Sequence, residues 1–335
     1  MISTDERTLA PKKAIMEWAR QPMDAVPFHQ PVLLEEALEG LAVCPGGRYV
    51  DCTTGEGGHT EGILERCLPG GHVLALDADS AAVDAAQRRL NSYQPHLTLV
   101  HGSYAQLGDI IASHQFGSAD GILFDLGLSS LQLEASGRGF SFRRNEPLDM
   151  RFDTRGGPTA ADIVNSYHQE ELARLLRTYG EEPRARSIAR AIVQRRPFDT
   201  AAQLAEVVTR VARPSRGGIH PATRTFQALR IAVNNELDNL QTGLEQAIPL
   251  LKPGGRLVVI SYHSLEDRIV KGAFRRESKG CICPPEVPQC VCDHVAQLRI
   301  ITRKVITPSA NERVRNPRSR SARMRVAEHL QGITQ

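Results

Sequence analysis

This sequence reads as an α/β protein whose sheet is doubly wound and mainly parallel. Apolar runs of strand length alternate with helical patterns along most of its 335 residues. The first two runs bracket a glycine-rich turn, and the second run ends in an acid, which is the layout of a βαβ unit that binds a nucleotide-like ligand.

The elements follow in order. Residues 48–52 form the first strand and feed Val50-Asp-Cys-Thr-Thr-Gly-Glu-Gly-Gly-His59. A helical pattern covers 59–67, and the second strand is Val73-Leu-Ala-Leu-Asp77. Strands three and four fall at 97–101 and 121–125, the latter running into Asp125-Leu-Gly-Leu-Ser-Ser130. Then the alternation stops. More than a hundred residues separate Asp125 from Lys252, far more than a crossover needs. Residues 133–230 are therefore expected as a helical insertion, with helices at 160–176, 183–194 and 200–212. A helix at 234–251 follows, stopped by Lys252-Pro-Gly-Gly255, and the strand 256–261 comes next. Runs at 298–304 and 322–328 supply the last strands. The expected organisation is an N-terminal extension (1–26), a discontinuous core domain (27–132 with 231–335) and the insertion between its halves.

The turn favours one cofactor. A dinucleotide fingerprint is G-x-G-x-x-G, with a helix N-terminus left free for pyrophosphate. Here the order is Gly55-x-Gly57-Gly58, with no glycine or alanine at position 60. Asp51 at the first strand end would repel a pyrophosphate and attract a cationic amino group. S-adenosylmethionine carries such a group, and Asp77 is placed for its ribose hydroxyls. Ligands of these sheets sit beyond the carboxyl ends of the strands, where Asp51, Asp77, Tyr104, Asp125 and His263 all fall.

Composition excludes other classes. Hydrophobic residues make up 41% and charged residues 24%, as in soluble globular proteins. Apolar runs all fall short of the ~20 residues a membrane helix needs, and the first 24 residues mix charges without an apolar signal core. A cytoplasmic protein with no membrane partner is expected. The net charge of +3 conceals an uneven distribution. The insertion is rich in arginine (Arg184, Arg186, Arg190, Arg195, Arg196, Arg210, Arg213, Arg216, Arg224, Arg230), and residues 303–325 hold eight Lys/Arg against one Glu. Both segments point to an anionic partner such as nucleic acid, and both argue against a small-molecule methyltransferase or dehydrogenase. Of seven cysteines, Cys44, Cys52 and Cys67 stand alone. Cys281-Ile-Cys283 and Cys290-Val-Cys292 form two close pairs. Four thiolates can hold zinc, but C-x-C is tighter than the usual C-x₂₋₄-C, so free thiols or redox-formed disulfides remain the alternatives.

Seven motifs occur together in this chain: Phe28-His-Gln-Pro-Val-Leu-Leu-Glu-Glu36, the Gly55 to His59 turn, Asp125-Leu-Gly-Leu-Ser-Ser130, Arg138-Gly-Phe-Ser-Phe142, Pro147-Leu-Asp-Met-Arg151, Ser261-Tyr-His-Ser-Leu-Glu-Asp-Arg268 and Asn316-Pro-Arg-Ser-Arg-Ser321. In this set and order the chain resembles the MraW family, the bacterial ribosomal RNA small subunit methyltransferases H, over about 27–330. The resemblance implies a Rossmann-like methyltransferase sheet with an inserted helical domain. It implies methyl transfer from S-adenosylmethionine to N4 of a cytidine in the decoding region of 16S rRNA, within the small ribosomal subunit. It also implies cofactor contacts from Gly57, Gly58, His59, Asp77, Tyr104, Asp125 and Gln132.

The chemistry narrows the catalytic candidates. The acceptor amine is poorly nucleophilic because its lone pair is delocalised into the ring. A carboxylate accepting from that amine would localise the pair. Asp125, aided by Ser129 or Ser130, fits that role, and binding the methionine amino group is its alternative. The strand end has no aromatic for stacking a base, so Phe140, Phe142 and Tyr262 are candidates. His263 could titrate near neutrality or simply bond to Glu266 or Asp267. Asp149 could orient the base or pair with Arg151.

Overall fold

The computed structural model describes residues 31–212, 220–284, 286–287 and 289–331. The expected N-terminal extension, the start of the Phe28 motif, Arg213 and Arg216 lie outside the described residues. Seven strands form one sheet in the order β3-β2-β1-β4-β5-β7-β6. They are β1 (Arg48–Asp51), β2 (His72–Asp77), β3 (Leu97–His101), β4 (Ala119–Asp125), β5 (Leu251–Ser261), β6 (Leu298–Ile300) and β7 (Arg323–His329). Strands β1 to β5 pair in parallel, and β7 inserts antiparallel between β5 and β6.

The period of two in the strands sends alternate side chains to opposite faces. Val50, Ile122, Phe124, Leu257 and Val259 face one core, while Tyr49, Leu123, Val258 and Ile260 face the other. The first face is covered by α4 (Leu107–Ser113), α11 (Glu236–Leu250) and α12 (Ser264–Glu277). The second is covered by α1 (Leu34–Gly40), α2 (Gly58–Cys67) and α3 (Ser80–Arg89). With both faces buried, the central strands read as continuous apolar runs rather than as alternating ones.

Beyond β4 a short helix, α5 (Ser130–Glu134), leads into α6 (Ala160–Ser166), α7 (Gln169–Gly180), α8 (Ala185–Arg195), α9 (Ala201–Val211) and α10 (Thr223–Asn234). These helices bury a core of their own, built on Ile163, Leu172, Leu176, Ile188, Ile192, Leu204, Val208, Phe226 and Leu229. Arg138 fastens this unit to the sheet. Its guanidinium bonds the carbonyls of Arg151 and Phe152 at 2.9 Å each and pairs with Asp79, which caps α3.

Four elements depart most from the sequence expectation. The helix at 160–176 divides in two, because Tyr167 and His168 are extended and a new capping box opens at His168 with Glu171. The helix at 234–251 begins at Glu236, because Asn235 takes a left-handed φ of 51°. The Pro253-Gly-Gly turn sits inside β5 as an irregularity, where the pairing shifts between Ala119 and Gly121. Strand β6 is only three residues long, and Ile301 and Thr302 instead give their N–H groups to the carbonyl of Val326.

Candidate active site

A cleft of ≈ 700 Å³ opens at the carboxyl ends of β1, β2, β4 and β5. The glycine turn forms its floor. Gly55 donates its N–H to Asp77 at 2.9 Å, and Gly57 closes the turn onto Thr54 at 2.8 Å. Gly57 has φ +85°, and a Cβ there would meet Leu90 at 3.0 Å. That explains the glycine, and Gly57 is not among the residues of the cleft wall. Gly58 and His59 do line the cleft. Asp51 departs from expectation. It is fully buried beneath the turn, accepting from Thr60 Oγ1 at 2.7 Å and Thr53 N at 3.1 Å, so it holds the turn rather than a ligand.

Asp77 faces the cleft, with one oxygen on Gly55 N and the other on Asp79 N, 2.9 Å each. Burial pushes its carboxyl up to about 6. Tyr104 lines the same wall, its ring edge-on to Phe124 at 5.4 Å between centroids. Gln132 is buried, bonding Asp79 through Nε2 at 3.1 Å and closing the capping box of α5 with Ser129. The Ser129 hydroxyl thus accepts from Gln132 N, and Ser130 accepts from Arg318 at 2.7 Å. Both serines line the cleft with these hydrogen bonds already made.

Asp125 sits at the centre. Its backbone N–H is held by Thr53 Oγ1 at 2.6 Å, and the Tyr262 hydroxyl donates to its carboxylate at 2.8 Å. His59 Nδ1 lies 3.4 Å from its other oxygen. Burial pushes Asp125 up to about 7, against the lowering effect of Tyr262. His59 Nε2 is 3.0 Å from the carbonyl of Val32, which can only accept, so the ring carries a proton there. Nδ1 of the neutral ring is then an acceptor. A proton at this contact rests either on the Asp125 carboxyl or on Nδ1, 3.4 Å apart. Burial lowers His59 and raises Asp125, which places that proton on the carboxyl.

Of the three aromatic candidates only Tyr262 reaches the cleft, with its ring against Gly127, where a Cβ would meet it at 3.0 Å. Phe140 packs on Phe152 at 5.6 Å, and Phe142 stacks on His220 at 4.3 Å, both within the insertion. His263 does not reach the cleft either. It caps α12, accepting from Glu266 N at 3.3 Å, with Nε2 3.0 Å from the Glu266 carboxylate. Its expected catalytic role therefore has no geometric support. Asp149 lies behind the wall and forks onto Arg151 at 2.8 Å twice, which outweighs burial and holds its carboxyl low. It presents Arg151 to the cleft rather than touching it.

The rim is basic but already paired. Arg155 bonds Asp153, Arg230 bonds Glu236 at 2.9 Å, and Arg318 pairs with Glu134. Several arginines expected to meet a partner serve the fold instead. Arg196 bonds the carbonyls of Val164 and Tyr167, Arg184 that of Val211, and Arg325 the Asp267 carboxylate at 2.7 Å. Arg186, Arg190 and Arg195 on α8 and Arg315 and Arg320 near the C-terminus stay exposed. Sequence reasoning missed Thr53, Glu236 and Phe152, and it named Arg230 only among the arginines of the insertion. None belongs to a spacing pattern, and only the return of α10 and α11 to the sheet brings the last three to the cleft.

The acids at the floor indicate what fits. Among the described residues no Lys or Arg ion-pairs with Asp77 or Asp125, and burial raises both. Such a floor suits a cation, because a nearby positive charge would restore ionisation. S-adenosylmethionine carries a sulfonium and an ammonium, so these residues fit it. Asp77, Tyr104, Leu240, Gly55 and Gly58 line the cleft where such a cofactor would meet them.

The sequence profile of the MraW methylase family matches residues 27–330. A ribosomal RNA small subunit methyltransferase H from Dehalococcoides mccartyi is 58% identical over 302 residues, spanning 90% of this chain and 86% of its own length. One of the same description from Thermomicrobium roseum is 56% identical over 305 residues, spanning 90% and 94%. Among solved structures, an rRNA methylase from Streptococcus thermophilus covers 90% of this chain and 98% of its own at 10% identity and a TM-score of 0.42, too distant to carry an argument. No helix among the described residues is long and apolar enough to cross a membrane.

Proposed function

Because the chain belongs to the MraW methylase family, we propose that it methylates 16S rRNA at the exocyclic N4 of a decoding-region cytidine. The relatives named as small-subunit rRNA methyltransferases support the substrate class. The observation that carries the atom is Asp125, a carboxylate raised to about 7 at the floor of the cleft with Tyr262 and His59 on its two oxygens.

When bound, S-adenosylmethionine supplies an activated methyl on a sulfonium, so positioning provides much of the rate. Asp125 accepts a hydrogen bond from the N4 amine and localises its lone pair. Tyr262 holds the carboxylate in that orientation. Once the amine has become cationic, it sheds a proton to Asp125, whose affinity near neutrality suits a transient acceptor. His59 offers Nδ1 as the next station for that proton, 3.4 Å away. The ring of Tyr262 is the aromatic surface available to a base turned into the cleft.

Residues 133–230 act as the substrate-recognition unit in this reading. Their helices hang over the rim next to Arg151, Phe152 and Arg155, and Arg318 faces them from the C-terminal segment. Phosphate contacts from these arginines set the register of the RNA, and the Asp125 end chooses the base.

The test uses tritiated S-adenosylmethionine with small subunits, followed by digestion of the 16S rRNA to nucleosides. Label in N4-methylcytidine supports the proposal. Label in another nucleoside, or none in RNA, overturns it.

A further inference from the structure

Between α12 and β6 lies a loop that takes no part in the cleft. Helix α12 starts at the carboxyl end of β5, and its 14 residues carry the chain about 21 Å away from the active site. The loop holds Cys281, Cys283, Cys290 and Cys292, two of them exposed and two half-buried. All seven cysteines of the chain are free thiols.

None of the four is fully buried, so apolar packing does not explain why they converge. They converge nonetheless. All four sulfurs lie within 4.8 Å of one another. Cys283 and Cys290 are 4.0 Å apart, Cys290 and Cys292 3.5 Å, and Cys292 and Cys281 3.8 Å. Four ligands around zinc at ~2.3 Å sit about 3.8 Å from one another, by tetrahedral geometry. The short C-x-C spacing is no obstacle, because the close contacts run across the loop as well as within a pair. The backbone adds a second feature of thiolate sites. Ile282 N donates to Cys292 Sγ and Val291 N to Cys283 Sγ, each at 3.4 Å. Each C-x-C thus turns its central N–H onto a sulfur of the other pair, where it would offset thiolate charge.

We infer that Cys281, Cys283, Cys290 and Cys292 form a structural zinc site that fastens the α12–β6 loop. Four sulfur ligands leave no open position for substrate, and sulfur donors select zinc over magnesium or calcium. Binding exchanges the thiol protons for the metal. Elsewhere the loop is anchored by Gln297 N on Glu277 O at 2.8 Å and by His294 Nε2 beside Arg276 O at 3.2 Å.

The experiment uses the full chain grown with zinc. Elemental analysis should find about one zinc per chain, and p-hydroxymercuribenzoate should release it. Cobalt loaded into the stripped protein should give the visible bands of a tetrahedral tetrathiolate. With zinc present, the four loop thiols should resist alkylation while exposed Cys44 reacts. Cys290→Ser should lose the metal and keep cofactor affinity, because the site lies away from the cleft, whereas Cys44→Ser should keep both. A stripped wild-type chain that takes up neither zinc nor cobalt, or four loop thiols that alkylate freely in excess zinc, overturns the site. So does a disulfide joining the two pairs in protein purified anaerobically.

Discussion

Tyr262→Phe isolates the group on which the proposed chemistry most depends. It removes one hydroxyl and leaves the ring against Gly127, so the fold should be unaffected. The lost bond is the 2.8 Å donation to Asp125. A hydrogen bond to a charged acceptor is worth ~1.5–3 kcal/mol. At about 1.36 kcal/mol per pH unit, its loss raises the Asp125 carboxyl from about 7 by a further ~1–2 units. The hydroxyl stabilises the ionised form, so its removal favours the protonated one. The ionised form is the one that accepts from the amine, so activity should rise with pH through this value. At neutral pH the ionised fraction, and with it kcat/KM for the cofactor, should fall roughly 5–50-fold. It should recover as pH rises above about 9, since kcat/KM reports the free enzyme. The assay is tritium transfer to small subunits across that range. An acid limb that stays where the wild type has it would refute the reasoning, whatever the absolute rate.

The other predictions concern the cofactor and the RNA. Asp77→Ala should weaken S-adenosylmethionine binding by ~1–3 kcal/mol, seen by calorimetry, with the melting profile still cooperative; unchanged affinity removes Asp77 from the site. Cofactor binding at pH 6 should release protons, because burial raises Asp77 and Asp125 to about 6 and about 7 and a cation draws them to the ionised form. Calorimetry in two buffers of different ionisation enthalpy reads that release, and identical heats in both would exclude it. RNA affinity should fall steeply with salt, and Arg318→Glu at the rim should lower the slope by about one phosphate without changing cofactor affinity; a salt-independent affinity would point to shape or protein contacts.

The chain itself determined what depends on near neighbours. Apolar runs, the glycine turn and the acids at strand ends lie within a few residues of one another. They located β1 to β4, Asp77, Asp125 and Tyr104, and seven motifs together carried the family. The insertion was legible as an interval too long for a crossover, and its helices as an apolar repeat. What the tertiary structure decided is which distant groups meet. Tyr262 reaches Asp125 across 137 positions, and Arg318 reaches Ser130 across 188. Nothing in local spacing separates Tyr262, which faces the cleft, from Phe142, which stacks on His220 inside the insertion. The same holds for the acids. Asp51 and Asp125 both end strands, yet one is sealed under the turn by Thr60 and the other opens to the cleft. Periodicity fixes which face of an element is apolar, because side-chain direction is a local property of the backbone. How two elements pack is set by the sum of many distant contacts, and a functional site made at their junction exists only once they have packed.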